Sequence, residues 1–202
     1  MTGKGVTGEK PDNALKEQIM TKKVLVPIAD GIEEIEAVCI IDVLRRADAF
    51  VTVASVNGLQ VTASHGVKII ADKLISDCID NTYDLIALPG GIPGAEHLRD
   101  SKELKILLKK QQQEGRMYAA ICASPAVVLQ HHGLLGKRKA TCHPYCADQI
   151  ENKAAIKERV VVDDNCITSR GPGTALDFAL KLVEMLYDEQ KAVDIAQPMV
   201  AG

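Results

Sequence analysis

Met117-Tyr118-Ala119-Ala120-Ile121-Cys122-Ala123-Ser124-Pro125-Ala126-Val127-Val128-Leu129 reads as a buried strand that turns sharply into a helix, with Cys122 at the bend. A side chain at such an elbow is pushed out of the backbone toward a ligand, and the N-terminus of the following helix stabilises negative charge on it. Small residues flank the cysteine, and Pro125 suits the first helical position because its missing N–H would have been unpaired anyway. A free cysteine after an apolar run is more often plain packing. The local pattern favours the elbow, and a thiolate there is a nucleophile.

Outward from this stretch, apolar strand-like runs alternate with helical periodicity, the pattern of βα units around a mostly parallel sheet with helices on its faces. Strands are expected at Lys23 to Ala29, Phe50 to Ser55 and Asp84 to Leu88, and helices at Glu34 to Ala47 and Ser101 to Gln113. Leu59 to Ala63 and Val67 to Ala71 predict a short antiparallel pair. Ala126 to His131 reads as a helix and Lys139 to Cys142 as a short extended segment. A hairpin follows over Val160 to Val162 and Cys166 to Ser169, then a long helix ending near Tyr187 and a shorter one near Ala192 to Ile195.

The chain has 202 residues, 47% of them hydrophobic, and a net charge of −3, enough for one α/β domain with a sizeable core. That domain is expected over residues 20–202. Residues 1–19 read as a flexible polar extension or a fusion-derived segment, with Met20 a second start or a junction. Aromatic residues are only 3% and no basic stripe stands out, which argues against a nucleic-acid partner. No run reaches the roughly 18 apolar residues of a membrane span. Six cysteines in a chain able to build its own core are expected to be reduced thiols in the cytoplasm.

Polar residues gather just after the expected strands, where the ligand crevice of an open α/β sheet lies. Glu33, Glu34 and Glu36 begin the first helix and complement its dipole. Glu36, beside a thiol, would have its protonated form favoured and donate to the thiolate, lowering the cysteine pKa. Gly90 and Gly91 serve as turn residues and equally as backbone donors to an oxyanion. His143 is a candidate general base or orienting group. Its neighbours Cys142 and Cys146 fall short of the four ligands of a structural zinc, so no metal is expected. Cys142 is also a candidate resolving thiol. Arg170 is a candidate anion ligand, although the Gly171-Pro172-Gly173 run is also what a tight strand-to-helix connection requires.

Six motifs in order carry a family resemblance: Asp30-Gly31-Ile32-Glu33-Glu34-Ile35-Glu36, Asp42-Val43-Leu44-Arg45-Arg46, Leu88-Pro89-Gly90-Gly91, Ala119-Ala120-Ile121-Cys122-Ala123, His143-Pro144, and Thr168-Ser169-Arg170-Gly171-Pro172-Gly173-Thr174. The chain resembles the DJ-1/ThiJ/PfpI superfamily, and within it the DJ-1 (parkinsonism-associated deglycase) branch and its bacterial relatives. The resemblance implies a flavodoxin-like three-layer sandwich and a homodimer. It implies Cys122 as nucleophile, Glu36 as its protonated partner, and Gly91 with Ala123 as oxyanion donors. It also marks Arg45, Arg170 and His65 as candidates for an anion-binding or dimer-proximal site. His65 stands where relatives commonly carry Arg, which weakens anion binding there. Ser124 stands where they often carry Gly or Ala. The segment Ala192 to Val200 resembles the C-terminal helix that covers the active-site approach in relatives.

The expected activity, by that resemblance, is a cofactor-independent glyoxalase and protein deglycase, a hydrolase or lyase acting on small dicarbonyls or glycated protein under carbonyl and oxidative stress. A redox sensor or redox-regulated chaperone working through oxidation of Cys122 is the alternative. A cysteine protease is the third, with little support because no acid partner for His143 is visible.

Overall fold

The computed structural model describes residues 21–201, so the polar stretch 1–19 lies outside the described residues. Near-continuous apolar runs form β1 (Lys23–Ile28) and, after helix α1 (Glu34–Arg46), β2 (Phe50–Ser55). The short strands β3 (Gln60–Thr62), β4 (Lys68–Ile70) and β5 (Lys73–Leu74) follow. Next come β6 (Leu85–Leu88), helices α2 (Gly94–Asp100) and α3 (Lys102–Gln113), and β7 (Met117–Ile121), which runs into the bend at Cys122. The hairpin β8 (Val160–Asp163) and β9 (Cys166–Ser169) precedes α4 (Ala175–Leu186) and α5 (Glu189–Ala196).

One sheet has the order β5-β2-β1-β6-β7-β9-β8, parallel except for the β8–β9 pair, and β3 with β4 forms a separate antiparallel pair. The chain leaves β1 for β2 through α1 and leaves β6 for β7 through α2 and α3, in opposite directions across the sheet. Right-handed crossovers therefore put these helices on opposite faces. On one side α1 packs on α4, which carries α5. The result is a flavodoxin-like three-layer sandwich. Burial on both faces explains why β6 and β7 read as unbroken apolar runs rather than alternating ones. The direction of winding reverses between β1 and β6, which opens a crevice at their carboxyl ends.

Differences from the expected elements have local causes. The turn after Cys122 is a π-helix over Pro125–Gln130, with His131 N–H donating to the Ala126 carbonyl at 3.3 Å. Such wide turns concentrate at functional sites. Lys139 to Cys142 joins no strand ladder. It is tied down by side chains instead, Lys139 N–H to Asp163 Oδ2 at 2.9 Å and Thr141 N–H to Thr168 Oγ1 at 3.0 Å.

Candidate active site

Cys122 has φ +65°, a left-handed conformation that costs a non-glycine residue on the order of 1 kcal/mol or more. Its surroundings impose that conformation. The Cys122 N–H donates to the Ser169 carbonyl at 3.1 Å, and its carbonyl accepts from the His143 N–H at 2.7 Å. The cysteine is thus held between the end of β9 and the segment carrying His143. Its side chain is 9% exposed.

The loop after β6 fits under this elbow because it has no side chains. A Cβ on Gly90 would stand 2.5 Å from the Cys122 Cβ and 2.8 Å from the Ile121 carbonyl oxygen. Gly91, at φ +87°, would meet the Glu33 nitrogen at 2.5 Å. Ser124 is fully buried, and its hydroxyl donates to the Pro89 carbonyl at 2.5 Å, fastening the loop to the elbow. An added hydrogen bond is one of the consequences open to a serine where relatives often carry Gly or Ala, and its acceptor here is the Pro89 carbonyl.

Glu36, on the first turn of α1, is completely buried. Its Oε2 accepts from Gly90 N–H at 2.8 Å, while Oε1 has no hydrogen-bond partner and is where a proton would sit. Burial, with Glu33's charge adding to it, pushes this carboxyl up to about 7 against the pull of Gly90 N–H and Cys122. Burial also pushes the Cys122 thiol up to about 12, with the Glu36 carboxylate the next cause. The backbone N–H groups of Gly91 and Ala123 pull it the other way. The expected lowering of the thiol is therefore not the resting behaviour of a buried sulfur beside a carboxylate. When Glu36 holds the proton, its repulsion vanishes and the two N–H donors remain. Near neutrality the pair carries at most one negative charge, shared between the carboxyl and the sulfur.

His143 is half-buried, and its Nδ1 faces the Tyr145 N–H at 3.4 Å rather than a carboxylate. It borders a cavity of about 260 Å³ with Arg159, Arg170 and Gly171 to Thr174. None of residues 189–201 lines this cavity. α5 begins at the far end of the sheet, where Lys191 pairs with Asp48 at 2.9 Å.

The remaining sequence candidates fall elsewhere. Arg45, in the last turn of α1 and remote from Glu36, pairs with Asp72 at 3.4 Å. His65 Nδ1 lies 3.3 Å from Glu34 Oε2 and 3.5 Å from Glu33 Oε2, so it faces two carboxylates where an anion would be repelled. Burial raises Glu34, but its own backbone N–H, Ser64 and His65 outweigh it and hold the carboxyl at about 2. Glu33, Glu34 and His65 bring ligand atoms within 4.8 Å of one another and could hold a cation. Cys142 donates to the His143 carbonyl at 3.3 Å, and burial pushes its thiol up to about 12. A thiolate there is disfavoured, which weakens a resolving role. Cys146 packs instead beside Ala123 and Val127.

The family model described as DJ-1/PfpI family matches residues 22–185. Protein DJ-1 homolog B of Arabidopsis thaliana is 50% identical over 182 residues, covering 89% of this chain and 42% of that protein. The chain spans less than half the length of both Arabidopsis homologues it matches. The glutathione-independent glyoxalase DJR-1.2 of Caenorhabditis elegans is 37% identical over 178 residues, covering 87% of this chain and 94% of that protein. Among solved structures, oxidized DJ-1 of Toxoplasma gondii matches with a TM-score of 0.88 at 51% identity, over 90% of this chain and 100% of that one. The chain belongs to the DJ-1/PfpI family.

Proposed function

We propose that the protein is a cysteine-dependent, cofactor-independent enzyme of reactive carbonyls, converting methylglyoxal to lactate and releasing the amine from methylglyoxal adducts. The observation that carries this reading is the Cys122 sulfur, held at a positive-φ elbow between the Glu36 carboxyl and the N–H groups of Gly91 and Ala123. The thiolate attacks the aldehyde carbon, and the new alkoxide, held by the two N–H groups, takes the Glu36 proton to give a hemithioacetal. The Glu36 carboxylate removes the proton from that carbon and delivers it to the neighbouring carbonyl oxygen, giving an enediol; the proton of the first hydroxyl then passes through Glu36 to the neighbouring carbon, which leaves a 2-hydroxy thioester. Water, activated beside His143, cleaves the thioester to lactate and restores the thiol. The glyoxalase name of the Caenorhabditis relative supports the reading. Lactate formation from methylglyoxal without glutathione tests it. Cys122→Ser is expected to lose at least about 10³-fold, and an unchanged rate in that variant overturns the mechanism.

A second reading, redox sensing through Cys122, is favoured by the oxidised state named for the Toxoplasma structure and by a carboxyl able to donate to a sulfinate. Peroxide titration followed by peptide mass spectrometry is expected to oxidise Cys122 first. Prior oxidation of Cys39 or Cys146 refutes it.

The protein also reads as a homodimer. Val38 on α1 and Ile70 on β4 are exposed in a groove that Ile41 and Ile69 help to line. Light scattering should give twice the 21.8 kDa chain mass, and a monomer at micromolar concentration counts against this face. No helix among the described residues is long and apolar enough to cross a membrane. The six free thiols suit a reducing cytoplasm, which cell fractionation checks.

A further inference from the structure

We propose that Ser124 is a positioning residue for the Cys122–Glu36 pair, acting through the Pro89–Gly90 peptide group to hold the shared proton away from the carboxyl. The serine stands at the N-cap of the π-helix Pro125–Gln130, where its hydroxyl would ordinarily accept from a backbone N–H of the first turn, yet it makes no such bond. The fully buried side chain turns back instead and donates to the Pro89 carbonyl at 2.5 Å. On the opposite edge of that same peptide group, the Gly90 N–H donates to Glu36 Oε2 at 2.8 Å. Hydroxyl, peptide and carboxyl thus form one buried chain of hydrogen bonds.

A peptide carbonyl that accepts a hydrogen bond draws density from its own N–H, which becomes the stronger donor, and a dry interior preserves the effect. That N–H stabilises an ionised carboxyl more than a protonated one. Ser124 therefore favours the form of the pair with its charge on the carboxyl and its proton on sulfur, the form in which Glu36 is a base. Little competes with this control. Oε1 of Glu36 has no hydrogen-bond partner, so the Gly90 N–H is the backbone donor to this carboxyl. The titratable groups that face Glu36 are Cys122 on the elbow and Glu33 just before α1. Glu33 is itself turned toward Ser64 and His65, and His143 meets the elbow through its backbone N–H.

The inference rests on Cys122 and Glu36 being the reacting pair of the proposed function, but not on which carbonyl is turned over. The test follows alkylation of Cys122 by iodoacetamide, in which the thiolate displaces iodide from carbon, as a function of pH, with peptide mass spectrometry identifying the site. Ser124→Ala makes the carboxylate less favoured and leaves the ionisation of the thiol beside a protonated Glu36 unaltered. The acid limb of the profile should therefore coincide with that of the native protein. Its midpoint should move up by about half a pH unit and its plateau should rise about threefold, because less of the single charge is then held by the carboxyl. Ser124→Gly should give the same shift, so the result does not depend on one variant folding. In a Glu36→Gln background, Ser124→Ala should change neither midpoint nor plateau.

A rate lowered by one factor at every pH means that the serine only packs the elbow. An unchanged profile means that the peptide transmits nothing, and a midpoint that moves equally in the Glu36→Gln background means that the effect does not pass through the carboxyl. Any of these results overturns the proposal. Turnover is read separately: the acid limb of kcat for lactate formation should move up with the alkylation midpoint, because Glu36 must be ionised to remove the carbon-bound proton. If no lactate forms, the proposed function fails while the alkylation profile remains readable.

Discussion

The two ends of the sheet hold cavities of opposite character. At the amino ends of the strands, about 610 Å³ is lined by Thr21, Lys22, Ala47, Asp48, Leu186, Tyr187, Asp188 and Lys191. At the carboxyl ends the cavity is less than half that size, yet there the backbone is strained at Cys122 and a carboxyl is buried without a cation. The larger space is bordered by exposed ion pairs such as Lys191–Asp48, which hold little free energy. Strain and buried charge, rather than volume, mark the end to which we assign the proposed chemistry, because both are costly unless the surrounding structure and a function retain them.

Substitutions at the two ends should therefore differ sharply. The largest effect is expected at Gly90→Ala, whose new Cβ would overlap the Cys122 Cβ. Turnover should fall about 10²-fold or more through misplacement of the sulfur, at a cost of about 1–3 kcal/mol in stability by urea unfolding. Retained turnover would show that the elbow has slack.

Glu36→Gln comes next and reads the buried proton. A carboxyl raised from 4.5 to about 7 on folding contributes stability that is fully present below pH 4.5 and lost as pH rises through about 7. That contribution is roughly 3 kcal/mol. The native protein should accordingly weaken between pH 5 and pH 8 by a margin that Glu36→Gln abolishes. The same variant should lower the Cys122 pKa, since a negative neighbour is gone, while turnover falls because no proton can be shuttled. Parallel pH dependence in the two proteins would remove Glu36 from the account. Lys191→Ala, at the other end, should change stability by less than about 1 kcal/mol and leave turnover alone. A large loss there would erase the contrast.

The reacting end was also the more legible in sequence. β6 and β7 stand out because strands buried on both faces are unbroken apolar runs, and Gly90 with Gly91 and Cys122 follow them closely. Less visible were elements whose existence depends on distant partners. β5 is two residues long and exists through its ladder with Ala54 and Ser55 on β2. α2 was hidden behind Ile92-Pro93-Gly94, which reads as a turn. Gly94 is needed there because a side chain would stand 2.3 Å from the Ile32 nitrogen. α5 was legible as a short helix near Ala192 to Ile195, but its ion pair, which reaches from Lys191 to Asp48 across most of the chain, was not. Ser124 and Arg170 were noticed as residue types, but only coordinates reveal what each one binds or lacks.

With both backbone groups of Cys122 engaged, adding atoms to its sulfur and removing them again requires no movement of the main chain. Diversification within such a scaffold then falls to the periphery, to positions such as His65, Ser124 and Arg170. New specificities can be acquired there by single replacements while the hinge beneath them stays unaltered.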